Sequence, residues 1–191
     1  MSNEQSTRRE AIADAAIEVL AEAGSRGLTH RAVDAKAGLA AGSTSYYFRT
    51  RLALLEAVQA RVNERQLAVM TAVAEAQPRT PLELAQMIST HMRAVQADPT
   101  LTIATMELTL EAVRRPELRP GVAAARSLFA DWQKRMLRAI GGEPSEDLAQ
   151  LLASLGTGMM VELLSLGEAV PPEFFDPETQ ARNFQRLLGH Y

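Results

Sequence analysis

A segment rich in basic and small polar residues, from Arg26 to Arg51, carries the side chains with the clearest chemistry in this sequence. Its basic residues outnumber its single acid by four charges. They are Arg26, Arg31, Lys36, Arg49 and Arg51. Charge of this sign and density positions a protein on phosphate groups without specifying a base sequence. The segment therefore predicts contact with nucleic acid.

Two short helices separated by a glycine should position these side chains. Thr29 precedes apolar residues at helical spacing, so its hydroxyl can accept a hydrogen bond from a free backbone N–H at the start of the first helix. Gly38 should end that helix, because glycine enters the left-handed conformation without a steric penalty. Residues 41–48 are predicted as the second helix, which ends in the aromatic cluster Tyr46-Tyr47-Phe48, with Phe48 in the core.

This layout is that of a helix-turn-helix, whose second helix lies in the major groove of DNA while the first crosses the backbone. The small side chains of Ser43, Thr44 and Ser45 fit that role, because bulky groups would hold the helix out of the groove. Three positions keep two interpretations. Lys36 contacts DNA or is a solvated surface charge, and Tyr46 contacts DNA or packs against the helix that precedes the pair. Tyr47 contacts DNA or belongs to the core.

A longer pattern surrounds this pair of helices. Its positions are Ile12, Ala15, Ala16 and Leu20 in a first helix, Gly24, Gly27-Leu28-Thr29, Ala37-Gly38-Leu39, Gly42-Ser43, Tyr47-Phe48, and Leu54-Leu55 after a basic residue. The pattern covers about a quarter of the chain and is specific in its spacing. It resembles the N-terminal DNA-binding domain of the TetR family of bacterial transcriptional repressors.

Four residues depart from the pattern of that family. Ala40 stands where a serine usually caps the recognition helix, and Ser45 stands where a tyrosine usually faces the groove. Asp34 replaces a small residue, and Arg51 replaces a lysine at the start of the fourth helix.

The resemblance implies roles for individual residues in a DNA-binding domain that covers residues 1–51. Phosphate contacts are implied for Thr29, His30, Ser43, Tyr47 and Arg51. Positions facing bases are implied for Arg31, Ala41, Gly42 and Ser45. Among these four, Arg31 alone can make the bidentate contact with guanine. Lys36 and Tyr46 complete the set of candidate DNA-binding residues.

The remaining residues, 52–191, are predicted to form a helical domain for ligand binding and dimerisation. Apolar residues recur at helical spacing between proline-marked breaks, and no stretch alternates as a strand does. The predicted helices run from residue 52 to Pro78 and then over 81–97, 100–115, 118–140, 145–166 and 177–188. The whole chain should be all-α, with about nine helices.

A dimer interface is predicted near the end of the chain. The segment 148–166 is apolar nearly all round, so it must be buried on several sides. The resemblance implies that the last two large helices of each subunit form a four-helix interface, and a core helix of one subunit is the alternative. The candidate interface residues are Leu152, Leu155, Gly156, Met159, Leu163, Phe184 and Leu187.

The resemblance also implies a small-molecule effector held among the middle helices. Candidate lining residues are Met87, His91, Met106, Thr109, Phe129, Trp132 and Met159. Ordinary core packing is the alternative for each of them, since methionine and aromatic residues commonly fill cores. The chain has no cysteine, which excludes disulfides and thiolate metal sites, and no metal or other cofactor is expected.

Charge and hydropathy limit the classes of partner. The net charge is −3, but residues 1–66 carry nine basic and eight acidic residues, so the excess of acid lies beyond the predicted DNA-binding domain. No run of apolar residues approaches the length of 18 or more that spans a bilayer, and the N-terminus lacks a signal-peptide core. A cytoplasmic protein without a membrane partner is expected.

The sequence bears on three functional classes. It gives no support for an enzyme, because the three histidines lie far apart in sequence and no HExxH, GxSxG or Walker pattern occurs. A helical adaptor that does not bind DNA would explain the helices but not the basic segment, the glycine turn and the tyrosines together. The sequence favours a homodimeric repressor that binds a palindromic double-stranded DNA operator and is released by a small molecule; an activator of the same fold is the other alternative.

Overall fold

The computed structural model describes residues 2–75 and 77–188, and within them the side chains of all but residues 2, 3, 74, 184, 187 and 188. Within these ranges the chain forms nine α-helices and no strand. They are α1 (Ser2–Gly27), α2 (His30–Lys36), α3 (Ser43–Tyr47), α4 (Arg51–Glu75), α5 (Pro81–Ala97), α6 (Thr100–Arg114), α7 (Arg119–Ala139), α8 (Glu146–Leu166) and α9 (Pro177–Leu188). The prediction of an all-α fold is confirmed.

Local signals in the sequence set several helix ends. The Thr29 hydroxyl accepts from the backbone N–H of Ala32 at 3.1 Å, and Ser145 caps α8 by accepting from Leu148 at 3.2 Å. Gly38 has a φ of +64°, as expected of a residue that follows a helix in the left-handed region. The second helix of the pair is shorter than the predicted 41–48, because Gly42 has a φ of +94° and α3 begins only after it.

The helices pack as two compact units. The first contains the residues up to Gln66 together with Thr100–Ala125, and the second contains Leu67–Pro99 and the residues from Arg126 onward. The predicted domain boundary between residues 51 and 52 does not coincide with any boundary between the two units, the first of which lies after Gln66. The chain leaves the first unit within α4 and returns to it with α6, so α6 shares a unit with α2 and α3.

The core of the first unit joins α1, the helix pair, the first part of α4 and α6. Its largest fully buried side chains include Ile12, Ile17, Leu20, Leu28, Leu54, Leu55 and Leu108. Burial of each such side chain contributes about 1.5–3 kcal/mol to folding. Near its end α1 is broken at Gly24, whose φ is 65°, and the freed backbone N–H of Ser25 donates to the Glu107 carboxylate of α6 at 2.9 Å. An acid of α6 therefore stabilises the break in α1.

The second unit has several smaller apolar clusters. One surrounds Met92 and Leu163, a second surrounds Leu84 and Met136, and a third is made of alanines of α7 and α8. The indole N–H of Trp132 donates to the Met70 carbonyl oxygen at 3.1 Å, which ties α7 to the last part of α4. The packing places α5, α7, α8 and α9 around these clusters.

Helix α8 has an unusual hydropathy. In the ranges that the structure describes, Glu146–Ala169 is the one segment long and apolar enough to cross a membrane by length and composition, with a mean hydropathy of 1.3. Only 22% of an apolar 18-residue stretch within it is buried in a single copy of the chain. A helix with one face on a core and an apolar face open to a second subunit has the same composition, so length and hydropathy alone are weak evidence for a membrane span.

Candidate nucleic-acid interface

The carboxylate of Asp34 joins the two helices of the pair. It lies in α2 and accepts hydrogen bonds from the backbone N–H of Gly42 at 2.8 Å, and from the N–H and hydroxyl of Thr44 at 2.7 and 2.6 Å. Asp34 and Thr44 are both buried, with 4% of Asp34 and none of Thr44 exposed. Burial alone would raise the pKa of Asp34, but the hydrogen bonds from Thr44 and Gly42 together hold this pKa below its usual value. The carboxylate is therefore charged at neutral pH.

One sequence-based expectation is wrong at this contact. Thr44 was expected to face outward with the other small polar residues, but its side chain is buried and its hydroxyl donates to Asp34. The role of Asp34 was missed. The signal that could have found it was the pairing of two departures from the family pattern, an acid at position 34 and an alanine in place of the capping serine at position 40.

The exposed edge of α3, taken together with the two residues that precede the helix, is made of small residues and one aromatic, Tyr46. Ala41, Gly42 and Ser45 are exposed, as a surface that approaches base edges requires, whereas Ser43 is half-buried. The hydroxyl of Ser43 donates to the Ala40 carbonyl oxygen at 2.7 Å, and that of Ser45 donates to the Gly42 carbonyl oxygen at 2.8 Å. Each hydroxyl oxygen can still accept a hydrogen bond from a ligand.

The two tyrosines at the end of α3 differ in exposure. Tyr46 is 71% exposed and meets the ring of Tyr47 edge to face at 5.1 Å. The alternative in which Tyr46 packs against α1 is therefore wrong. Tyr47 is half-buried against the core of the first unit, and Phe48 is buried there as predicted.

The end of α3 is held by two side chains from other helices. Nε2 of His30 lies 2.6 Å from the Phe48 carbonyl oxygen, and because a carbonyl only accepts, this nitrogen carries the proton. Arg9 of α1 lies over the Phe48 ring at 4.5 Å and donates to the Tyr47 carbonyl oxygen at 3.1 Å. His30 keeps only Nδ1 for another contact. Arg9 was not among the predicted residues, since its distance in sequence gives no signal.

The predicted basic segment divides into paired and unpaired cations. Lys36 is paired with Glu22 at 2.6 Å and Glu18 at 3.2 Å, and these hydrogen bonds raise its pKa. Arg51 is half-buried and donates to backbone carbonyls of the first unit. Several donors of both side chains are thus engaged within the first unit, which favours an internal role over the DNA contact that was expected. Three exposed arginines have no hydrogen bond or ion pair within the described part of the chain: Arg26, Arg31 and Arg49.

The predicted effector residues are divided between the two units. Met106 and Thr109 lie on α6 in the first unit, and Thr109 is exposed with its hydroxyl bonded to the Thr105 carbonyl oxygen at 2.8 Å. The other five lie in the second unit, where Met87 and Met159 pack against separate clusters.

Aromatic stacking and a neutral histidine mark the second unit. The rings of Phe129 and Trp132 are stacked at 5.7 Å with an angle of 9° between their planes. His91 is half-buried, and burial lowers its pKa, so the ring is neutral at physiological pH.

Two open surface cavities of about 380 and 520 Å³ also lie in this unit. Neither is lined by any of the seven predicted effector residues.

The predicted dimer residues divide between the core and the surface of α8. Leu163 is fully buried in its own subunit, and a Cβ on Gly156 would lie 3.0 Å from the Phe129 ring. Leu163 is therefore packed inside one subunit, contrary to the prediction, and Gly156 is half-buried against the Phe129 ring of the same subunit. Leu152 and Met159 are half-buried, and Leu155 is 58% exposed. The side chains of Phe184 and Leu187 lie outside the described residues.

The exposed face of α8 is nevertheless largely apolar. Its large exposed side chains are Leu151, Leu155, Val161 and Leu166. At 100° per residue these positions lie on one side of the helix, together with the exposed Glu162 and with Gly158, where a Cβ would meet no atom within 4 Å outside its own helix backbone. The sequence alone did not distinguish the exposed apolar face of α8 from the face that packs inside the subunit.

Family models match both parts of the chain. Residues 12–58 match the model of the bacterial regulatory proteins of the tetR family, and residues 79–189 match that of the tetracyclin repressor-like C-terminal domain. This chain belongs to the TetR family. The match to the second model supports the family assignment well beyond the helix pair on which the sequence-based resemblance rested.

Individual TetR-family proteins are similar to the chain along most of its length. A member of the TetR family from Streptomyces coelicolor A3 is 30% identical, with a TM-score of 0.71, and the alignment covers 95% of this chain and 98% of that one. The multidrug binding protein EbrR, solved in complex with ethidium, is 28% identical with a TM-score of 0.69 over the same shares of the two chains.

One curated relative matches a shorter region. The HTH-type transcriptional repressor KstR of Rhodococcus jostii is 36% identical over 104 residues, which are 54% of this chain and 48% of KstR. The aligned region thus covers about half of the length of that relative.

Proposed function

We propose that this TetR-family regulator is a homodimeric repressor in the cytoplasm that reads a palindromic DNA operator through α3 and is released by a small molecule. The observation that carries the proposal is the exposed edge of α3, where Ala41, Gly42 and Ser45 present no bulk that would hold the helix out of a major groove. The family membership and the repressor KstR among its relatives agree with it.

The contacts with DNA divide into two classes. Arg31, Ala41, Gly42 and Ser45 face bases, and Arg31 supplies the bidentate pair of donors that guanine requires. Phosphates are held by exposed or half-exposed groups: Thr29, Ser43, Tyr46, Tyr47, and the arginines Arg26 and Arg49. His30 can add a contact only through Nδ1. Lys36 and Arg51 are left out because their donors are engaged within the first unit.

Two copies associate through the exposed apolar face of α8. Exposed leucine and valine side chains concentrated on one side of a helix are characteristic of a surface that a partner covers. A two-fold dimer carries two copies of α3, and the half-sites read by such a dimer lie about one helical turn apart. α9 completes the contact as the second helix of each subunit.

The effector binds in the second unit. EbrR, which is described as a multidrug binding protein and was solved with ethidium, is similar over nearly the whole chain. The stacked Phe129 and Trp132, with Met87, His91 and Met159, offer apolar surface and few polar groups, which suits a small apolar or aromatic molecule. Release from DNA requires that the effector favour one of two states, typically by about 1–3 kcal/mol.

Selection of the purified protein against a random double-stranded DNA library tests the proposal. We expect a palindromic motif, which Arg31→Ala should weaken at one base pair of each half-site. Arg138→Ala, which removes an exposed arginine of the second unit, is the matched control and should recover the wild-type motif. Recovery of no motif by a folded dimer would contradict DNA reading and favour the helical adaptor.

Fluorescence of Trp132, the single tryptophan, tests the effector site separately. Titration with ethidium should quench this emission to saturation, and Phe129→Ala should weaken the binding. Leu110→Ala, at an exposed position of α6, serves as the control. Quenching that does not saturate, or that is the same in all three proteins, would contradict an effector site at the aromatic stack.

A further inference from the structure

The first turn of α3 has no capping side chain of its own. The residues that precede it, Ala40, Ala41 and Gly42, carry no side-chain acceptor, and α3 is only five residues long. A helix of this length is unstable alone, and its first backbone N–H groups have no partner within the helix. The position of α3 must therefore be set from outside.

Asp34 provides the missing partner. Its carboxylate accepts from the backbone N–H groups of Gly42 and Thr44, and its own carbonyl oxygen accepts from the N–H of Leu39 at 2.9 Å. One residue thus fixes the turn between α2 and α3 through its backbone and the start of α3 through its side chain. Val33, next to it in α2, is fully buried, so the anchor itself is held by the core.

The base-facing positions depend directly on these bonds. Ala41 precedes the anchored N–H of Gly42, and Ser45 follows Thr44, whose side chain is held in the interior. The Ser45 hydroxyl in turn bonds to the Gly42 carbonyl oxygen. A shift of the start of α3 would therefore move all the positions on its exposed edge.

We propose that Asp34 is a positioning residue that gives the protein its base specificity without touching DNA. This inference rests on the proposed reading of DNA by α3. A carboxylate contributes no attraction to phosphates, so its loss should not weaken sequence-independent binding, which depends on the exposed arginines. The signature of the role is a loss of operator affinity at unchanged non-specific affinity.

Asp34→Asn tests this with the smallest change in shape. The amide oxygen can still accept from Thr44, but the amide NH₂ would face the N–H of Gly42, donor against donor. We expect affinity for the selected operator to fall by about tenfold or more, because a charged capping bond is lost. Affinity for unrelated DNA should change by less than about threefold, with the same salt dependence.

Asp147→Asn is the matched control, since it makes the same chemical change at an exposed position of the second unit. It should leave both affinities as in the wild type. Equal operator affinity in Asp34→Asn and the wild type would overturn the inference. A wild-type protein that binds no DNA would instead overturn the proposed function.

A second variant separates positioning from general destabilisation. In Asp34→Ala combined with Ala40→Ser, the serine lies two residues before Gly42, so its hydroxyl can accept from the Gly42 N–H that Asp34→Ala leaves free. Operator affinity should recover by about fivefold or more over Asp34→Ala alone, since a cap of this kind has a comparable effect on helix stability. Recovery of operator affinity at unchanged affinity for unrelated DNA supports the inference, and no recovery in a folded double variant overturns it. An equal loss of both affinities in Asp34→Asn also overturns it.

Discussion

The guanidinium of Arg51 donates to both the carbonyl oxygen and the hydroxyl of Ser25, the latter at 2.9 Å, and also to the Leu28 carbonyl oxygen. Ser25 directly follows the break in α1 at Gly24, where the last carbonyl groups of the helix need partners. The first residue of α4 therefore closes the end of α1. This internal role differs from the phosphate contact that the sequence suggested for Arg51.

Arg51→Ala should destabilise the first unit. Removal of the guanidinium leaves partly buried carbonyl groups without donors, and we expect the free energy of unfolding to fall by about 1–3 kcal/mol. Chemical denaturation followed by circular dichroism measures this loss. Arg49→Ala is the comparison: it should leave stability unchanged and reduce the slope of log affinity against log salt by about one contact. A reduced slope in Arg51→Ala without a stability change would restore the phosphate role.

Arg31→Ala should weaken binding to the operator and relax its base preference, without weakening binding to unrelated DNA to the same extent. Arg31 is exposed and has no partner among the described residues, so its fork of donors is available to a guanine edge. The loss of one bidentate base contact should cost about 1–3 kcal/mol on the operator and relax selection at one position. Competition binding with operators changed at single base pairs measures the effect. An equal loss on every sequence would assign Arg31 to phosphate instead.

Sequence reasoning reached the fold because its signals are local. Caps such as Thr29 and Ser145, the glycine after α2 and the prolines between helices act within a few residues, and the helix boundaries follow them closely. Contacts between distant residues gave no such signal. The pairing of Lys36 with Glu18 and Glu22 joins two helices whose relative position cannot be read from spacing, so a charge expected at DNA is neutralised.

The same limit affected α8 and the reading helix. Apolar residues occur on every side of α8. Periodicity therefore cannot distinguish the buried face, which carries Leu163, from the exposed face, which carries Leu155. At α3 the composition suggested three hydroxyl groups that face outward. The hydroxyl of Thr44 instead faces inward, because it donates a hydrogen bond to the buried carboxylate of Asp34. In both places a pairwise contact, rather than residue type, decides exposure.

Leu155→Glu should separate the proposed dimer. The side chain is 58% exposed in one copy, so the monomer should remain folded, whereas a carboxylate buried at a subunit contact without a partner is strongly unfavourable. Sedimentation velocity should show a shift to the monomer mass. Val113→Glu, at a position of α6 that is 71% exposed, is the matched control and should leave the mass unchanged. A dimer that persists in Leu155→Glu would exclude this face of α8 as the interface.

Mild acid should destabilise the second unit through His91. Burial lowers the pKa of His91 in the folded protein, so the unfolded chain binds the proton more readily. Stability contributed by the neutral ring is complete well above the unfolded pKa of about 6.5 and is lost as the pH falls below it. Thermal unfolding from pH 8 to pH 5 measures this loss. His91→Gln should remove this part of the pH dependence, and an unchanged profile would contradict the assignment.

The bond between Ser25 and Glu107 has a consequence for exchanging DNA specificity between regulators of this kind. Because α6 packs with α1 and stabilises its broken end, the reading head is not a contiguous stretch of chain. A chimaera cut at residue 51 would separate the head from part of its own packing. A graft that transfers residues 100–125 together with residues up to 66 keeps that packing intact, at the expense of two additional splice points.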